Sequence, residues 1–346
     1  MKRHINIPIF IPHLGCPNQC VFCNQRTITG VKEFDIASVK SEIDEALETV
    51  GVDTEAEIAF FGGSFTGIGE EPMTSLLKLA YSYVQTGRVK SIRCSTRPDY
   101  IDDRILDILW QYGVRCIELG LQSSDEQVLM LTRRGHTCLD EKRACELIVK
   151  RGFTLVGQMM IGLPGSDLSS EIKTARFICE CGAKGARIYP TVVFYGTELQ
   201  AMASAGEYTP LTLLDAVKRS AAVLRVFLEN GVKVIRIGLC ATESLTSEDS
   251  YYAGPNHAAI GELVEGEVYY ELINEKIRDM NIADKISGRI TVTVPSGALS
   301  KAIGQNKRNK IRLENEYPNL RISFTECKGA GEYQISIRQE RNVKCT

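Results

Sequence analysis

Short runs of apolar, β-favouring residues recur along the chain: Ile5 to Ile11, Glu57 to Phe61, Ser91 to Ser95, Cys116 to Gly120, Thr154 to Ile161, Ala186 to Tyr189 and Val232 to Ile237. Between them the apolar positions fall at helical spacing. From Ile36 to Val50, for example, Val39, Ile43, Ala46, Leu47 and Val50 share one face, with Asp35 placed to cap the helix. The same pattern predicts helices over Pro72 to Gln85, Asp102 to Tyr112, Asp140 to Lys150, Ser169 to Cys181 and Leu211 to Glu229, several of them followed by the glycine that often stops a helix. Strand and helix alternating six or seven times predict a parallel sheet. Many strands run into glycines, at Gly62-Gly63, Gly120, Gly162, Gly165 and Gly238. In a barrel of parallel strands those C-terminal ends carry the chemistry. Between about Leu239 and Arg278 the alternation lapses into a polar loop followed by an apolar, helix-like run, which puts a domain boundary near Asn281. Residues 281–346 then read strand, helix, helix, strand, strand, with a turn at Gly304.

Length fits this division: 346 residues suit one large domain, residues 1–280, and one small one. With 44% apolar and 24% charged residues, a disordered, collagen-like or coiled-coil chain is excluded. No apolar stretch approaches the ~20 residues of a membrane span, and Pro8 and Pro12 break the N-terminal run before it reaches the length of a signal segment. The expectation is a cytoplasmic protein with no membrane partner. Its twelve cysteines are then reduced thiols, to be explained by metal binding or burial. Charge is uneven: residues 281–346 hold twelve Lys and Arg against six Asp and Glu, leaving 29 against 37 before them. The basic C-terminal domain points to an anionic partner.

Cys16, Cys20 and Cys23 form a C-x3-C-x2-C cluster directly after the first predicted strand. Thiolates are the usual ligands of iron–sulfur clusters, and a cubane bound at three corners keeps one iron free for another ligand. Two other readings stay open here: a zinc site completed by His13, and three unrelated core thiols.

The spacing C-x3-C-x-aromatic-C, with Phe22 as the aromatic, resembles the signature of radical S-adenosylmethionine (SAM) enzymes. Further segments fall in the family's order: Phe60-Phe61-Gly62-Gly63-Ser64-Phe65-Thr66, Ser95-Thr96-Arg97-Pro98-Asp99, Ile117 to Ser123, Arg134-Gly135-His136-Thr137, Gly162 to Gly165 and Ile188 to Thr191. They look most like the radical domain of the Elongator catalytic subunit, over roughly residues 5–275. The resemblance implies an α/β fold of the partial (β/α) TIM-type barrel kind, a 4Fe-4S cluster on Cys16, Cys20 and Cys23, and SAM chelated at the free iron. It places Phe22, Gly62, Gly63 and Ser64 at the cofactor, although the commoner residue at position 64 is Glu. Glu118 would bond the ribose hydroxyls, Arg187 the carboxylate, and Gln158 and Ile161 would lie near the adenine. Taken by itself, Glu118 on an apolar strand reads equally as a buried ion pair with Arg97 or Arg187. A reduced flavodoxin- or ferredoxin-type donor would supply the electron. The Elongator subunit continues into an acetyltransferase domain that 70 residues of basic sequence cannot supply, so acetyl transfer is not expected.

Val294-Pro295 through Ile311 resembles a K-homology (KH) domain, a small α+β module that grips a nucleic-acid backbone through a G-x-x-G loop. Here the loop is Gly304-Gln305-Asn306-Lys307 and lacks the second glycine. Lys301, Lys307, Arg308, Lys310 and Arg312 cluster around it as candidate RNA contacts, or alternatively as a solvated helix face. Cys240, Cys345 and His257 are candidate catalytic groups; Tyr189 and Tyr195 are candidate pocket residues; Cys94, Cys116, Cys138, Cys145, Cys179 and Cys181 read as core. The combined expectation is a radical SAM enzyme modifying a tRNA or rRNA base. The alternatives are a radical enzyme acting on a small, porphyrin-like metabolite and a non-catalytic RNA-binding protein with a structural metal.

Overall fold

The computed structural model describes residues 3–11, 16, 20–24, 34–51, 53–239, 251–284 and 286–339. They divide into two compact units, the first Met1–Ala216 with Val226–Ala258 and the second Val217–Arg225 with Ala259–Thr346.

The first unit is a sheet of seven strands in sequential order: β1 Arg3–Ile11, β2 Thr54–Gly62, β3 Ser91–Thr96, β4 Val114–Gln122, β5 Thr154–Ile161, β6 Gly185–Pro190 and β7 Lys233–Ile237. Every neighbouring pair is parallel. The order ends at β7 without pairing back to β1, which makes a partial barrel. All seven expected strands are present. The connecting helices include α1 Val39–Glu48, α2 Glu70–Gln85, α3 Asp103–Gln111, α4 Glu126–Leu131, α5 Cys138–Lys150, α6 Leu168–Glu180 and α7 Glu198–Ser204, followed by α8 Leu213–Glu229, whose residues Val217–Arg225 count with the second unit. Their starts are written in the sequence. Asp102 accepts from the Ile105 N–H, and Thr137 with Asp140 and Asp167 with Ser170 form reciprocal capping boxes. The first helix begins three residues later than its apolar spacing suggests. Asp35 accepts from the Ala37 N–H in a preceding turn, and Ser38 takes the cap position.

The second unit holds α9 Ile260–Asp284, β8 Gly288–Pro295, α10 Leu299–Ile303, α11 Arg308–Glu316, β9 Leu320–Cys327 and β10 Ser336–Gln339. Its sheet order is β10-β8-β9, with β8 and β9 parallel and β10 antiparallel to β8. The expected order of strand, two helices and two strands is present. The long α9 belongs to this unit as well, ahead of the boundary near Asn281, because Tyr269, Tyr270, Ile273 and Ile277 share one buried cluster with Ile290, Val292 and Leu320.

Candidate active site

Side chains alternate across a strand, so residues two apart point to the same side of the sheet. Along one side runs a chain of charge: His4 Nε2 lies 2.9 Å from Glu57, Arg93 Nε 3.4 Å from Glu57, and Arg93 Nη1 3.4 Å from Glu118. Arg187 then closes on Glu118 with two bonds, Nε to Oε2 at 2.7 Å and Nη2 to Oε1 at 3.1 Å, while Gln158 Nε2 donates to Oε2 at 3.0 Å. Glu118 is fully enclosed, and such a carboxylate is tolerable only when paired in this way. Its partner is Arg187, joined by Arg93, which the sequence did not single out. Arg97, the other partner considered, is instead held by Asp99. Burial opposes the charge on Arg187, yet Tyr189 and Glu118 outweigh it and raise its pKa.

This side of the sheet opens into a cavity of about 510 Å³, a volume typical of small-molecule and cofactor sites. Phe22, Gly62, Glu118, Gln158 and Arg187, five of the eight residues expected at the cofactor, line it beside Cys23. Gly62 has φ +103°, and a Cβ there would stand 2.8 Å from the Ile11 carbonyl, so the strand end admits only glycine. Gly63 donates its N–H to that same carbonyl at 2.7 Å. Gly63, Ser64 and Ile161 are not part of the lining. Ser64 is wholly buried, with its hydroxyl 2.9 Å from that of Thr96 and accepting from the Arg97 N–H, and Ile161 is packed into the core. Tyr189 lines the cavity, whereas Tyr195 is exposed and stacks edge-on with Tyr252. Residues missed in the sequence also face it: Asn6 and Gln122, each with a buried amide oxygen lacking a hydrogen-bond partner, and Arg236. Gln122 is unusual also for its φ of +70°. A strand residue of this kind gives no period-two signal that separates it from an ordinary polar position.

The cysteine loop follows β1. Cys16 is exposed, Cys20 and Cys23 are half-buried, and none of the three is in a disulfide. Among the described residues, no three His, Cys, Asp or Glu side chains are gathered closely enough to hold a metal ion. The donor set and its surroundings nevertheless fit an anionic thiolate cluster. Arg134 Nη1 donates to Cys20 Sγ at 3.2 Å and Arg97 Nη1 stands 4.0 Å from the same sulfur. Cys23 opens on the cavity, whose unsatisfied amide oxygens suit a polar cofactor. Cys94, Cys116 and Cys145 are buried as expected, while Cys138, Cys179 and Cys181 are only half-buried because they sit at helix ends and on a helix flank. His257 is exposed. Cys240, Cys345 and His13 lie outside the described residues.

In the second unit, Lys301 pairs with Glu265 at 2.6 Å, Lys310 with Glu314 at 3.0 Å, and Arg312 with Glu267 at 2.8 Å while stacking on Tyr270. Lys307 and Arg308 are exposed. Asn306 and Lys307 have φ +51° and +61°, so the loop keeps a left-handed path where the second glycine of a G-x-x-G would stand.

Residues 10–178 match the Radical SAM superfamily and residues 183–270 the Radical SAM C-terminal domain. An uncharacterized protein of Methanocaldococcus jannaschii is 30% identical over 222 residues, 61% of this chain and 68% of its own. The tRNA uridine(34) acetyltransferase of the same organism is 29% identical over 195 residues, covering 50% of this chain and 36% of that protein. Elongator complex protein 3 of Schizosaccharomyces pombe is 27% identical over 257 residues, covering 62% and 47%. The chain thus spans less than half the length of these last two relatives. Among solved structures, Methanocaldococcus infernus Elp3 with its N-terminus deleted superposes at a TM-score of 0.62 and 20% identity, over 83% of this chain and 68% of that one, a likeness of fold.

Proposed function

The chain belongs to the radical SAM superfamily, whose members use a 4Fe-4S cluster and SAM, and from that premise we propose that it modifies a base of tRNA or rRNA. One observation carries the catalytic part: five residues from five separate segments, Phe22, Gly62 at the end of β2, and Glu118, Gln158 and Arg187 midway along β4, β5 and β6, converge on a single cavity beside Cys23. Cys16, Cys20 and Cys23 would hold the cluster. Gly62 would let the backbone approach the cofactor closely, Gln158 and the Glu118–Arg187 pair would supply polar contacts, and Phe22 would give it an apolar wall. When bound, the cluster and SAM would supply one-electron reductive chemistry, the source of a radical able to take hydrogen from an unreactive carbon. The protein's part is position and dryness. Phe10, Phe61, Met160, Val192 and Phe194 give the cavity apolar walls that keep water from a reactive species.

The RNA reading is supported by the relatives, one of them a tRNA uridine(34) acetyltransferase, and by the left-handed loop bearing Lys307 and Arg308 in the second unit. The site of action would be the cytoplasm, with electrons from a reduced flavodoxin- or ferredoxin-type protein. The test is anaerobic reconstitution with iron and sulfide, followed by incubation with RNA from cells lacking the gene and mass spectrometry of the digested nucleosides. A new nucleoside is expected, formed together with 5′-deoxyadenosine, and both are lost in Cys20→Ala. Release of 5′-deoxyadenosine with an unchanged nucleoside profile would refute the RNA substrate, and release by Cys20→Ala would refute the chemistry.

A further inference from the structure

Two motifs that have no assigned role, Ser95-Thr96-Arg97-Pro98-Asp99 and Arg134-Gly135-His136-Thr137, meet beside Cys20. The turn that presents Arg134 follows α4 and is built from left-handed residues on both sides, Arg133 at φ +53° and Gly135 at φ +75°. It is tied to the cysteine loop by the backbone, since the Val21 N–H donates to the Thr132 carbonyl at 3.3 Å. Both guanidiniums are buried, at 4% exposure for Arg97 and 5% for Arg134. Neither is free to swing. Arg97 is clamped by Asp99 through two bonds of 2.9 Å and donates to the Arg134 carbonyl, while Arg134 donates to the Gly120 carbonyl. Both also reach the Cys20 sulfur, with Arg134 at 3.2 Å and Arg97 at 4.0 Å.

Two guanidiniums therefore stand at the Cys20 sulfur, Arg134 within hydrogen-bond distance, and the groups next outward, His136 at 3.8 Å from Asp99 and Glu141 at 3.0 Å from His136, are both driven toward their neutral forms by burial. As a cluster ligand that sulfur would be a thiolate. The potential of an iron–sulfur cluster is set by its net charge, by hydrogen bonds to its sulfurs and by its exposure. Buried donors around a ligand tune a metal as its direct ligands do. Reduction adds one negative charge, and a fixed cation at hydrogen-bond distance stabilises the reduced form more than the oxidised one.

We propose that Arg97 and Arg134 are positioning residues that raise the reduction potential of the cluster through Cys20, easing transfer of one electron from the external reduced donor. The proposal rests on the cluster assignment above. It is tested on the anaerobically reconstituted chain, without SAM, by iron analysis and an electron-paramagnetic-resonance-monitored redox titration. Arg134→Gln removes the charge and the donor, and should lower the reduced-to-oxidised ratio at fixed poise about tenfold, which is ~59 mV for a one-electron couple. Asp99→Asn removes the opposing carboxylate and should raise the ratio instead. A purely structural role for these residues does not shift the potential in opposite directions. Iron-loaded variants with the parent's potential, or both shifted the same way, would overturn the proposal. Should Arg134→Gln fail to fold or load, Asp99→Asn decides alone, a raised potential supporting the proposal and an unchanged or lowered one overturning it. A parent chain that binds no iron defeats the cluster assignment itself, and this inference with it.

Discussion

At the scale of single residues, the most consequential choice is where protons sit in the buried polar network. His136 and Glu141 are both fully enclosed, with Nε2 and Oε1 3.0 Å apart. Burial, followed by the nearby arginines, lowers His136 from 6.5 to about 3, and burial raises Glu141 well above 4.5. The folded pair thus holds one proton, on Glu141. Between pH 4.5 and 6.5 the unfolded chain also holds one, on the histidine, and the pair contributes no slope to stability. Just above 6.5 the unfolded histidine gives up its proton, while burial still favours the proton on Glu141. The native state then binds more protons, and stability falls as pH rises. Below 4.5 the unfolded glutamate takes up a proton that the folded pair cannot accept until about pH 3, and stability falls on that side too. Glu141→Gln replaces the protonated carboxyl with an amide that does not ionise. Urea denaturation at pH values just above 6.5 should show the parent losing stability with rising pH more steeply than the variant. Parallel slopes for the two would disprove the neutral pairing. The motif holding His136 was visible in the chain, but its partner on the first turn of α5 was not. Nothing in residue type separates Glu141 from the exposed carboxylates around it.

At the scale of elements, the strands were legible because a parallel sheet covered by helices is apolar along nearly its whole length, and such runs stand out in any composition. Their limits extend by one to three residues at several ends, where pairing in the sheet overrides weak local preference. The short α4 and α7 were missed: six and seven residues complete too few turns to display a period. For the opposite reason α9 was read only as a helix-like run; its 25 residues carry apolar side chains around several faces, so no single stripe marks it. Packing between elements makes its own prediction. Gly157, in the middle of β5, has ordinary backbone angles, yet a Cβ there would stand 2.6 Å from the Ile178 side chain on α6. The glycine is required by the helix that covers the strand. Gly157→Ala should therefore cost about 1–3 kcal/mol through overpacking, and Ile178→Val in the same chain should recover much of it. Chemical denaturation of the two single variants and the double variant measures this, and strictly additive losses would show that the contact does not set the glycine.

At the scale of the whole chain, charge and core are divided between the two units, and the second shows how far a count of basic residues can mislead. Five cations were read around its loop, but a charge bound to a neighbouring carboxylate has little left for a phosphate. Lys301, Lys310 and Arg312 are spent on Glu265, Glu314 and Glu267, the last of these only 4% exposed. Sequence spacing hid this because two of the three acidic partners lie more than thirty residues away on α9. Lys307 and Arg308 remain exposed at the left-handed loop, where side chains diverge toward solvent. The two groups should then separate experimentally. Each phosphate contact contributes about 0.7 to the slope of log affinity against log salt for a single strand and about 0.9 for a duplex. Lys307→Ala with Arg308→Ala should reduce that slope for tRNA by roughly one to two while leaving thermal stability unchanged. Arg312→Ala should do the reverse. It strands the Glu267 carboxylate and removes the guanidinium stacked 3.5 Å from the Tyr270 ring centroid, a loss on the order of 1–3 kcal/mol given that Arg312 is itself partly exposed. Fluorescence anisotropy across a salt series, paired with denaturation, reads both quantities. If Arg312→Ala lowers the salt slope without loss of stability, or the loop variants leave the slope intact, the phosphate-binding surface does not lie at this loop.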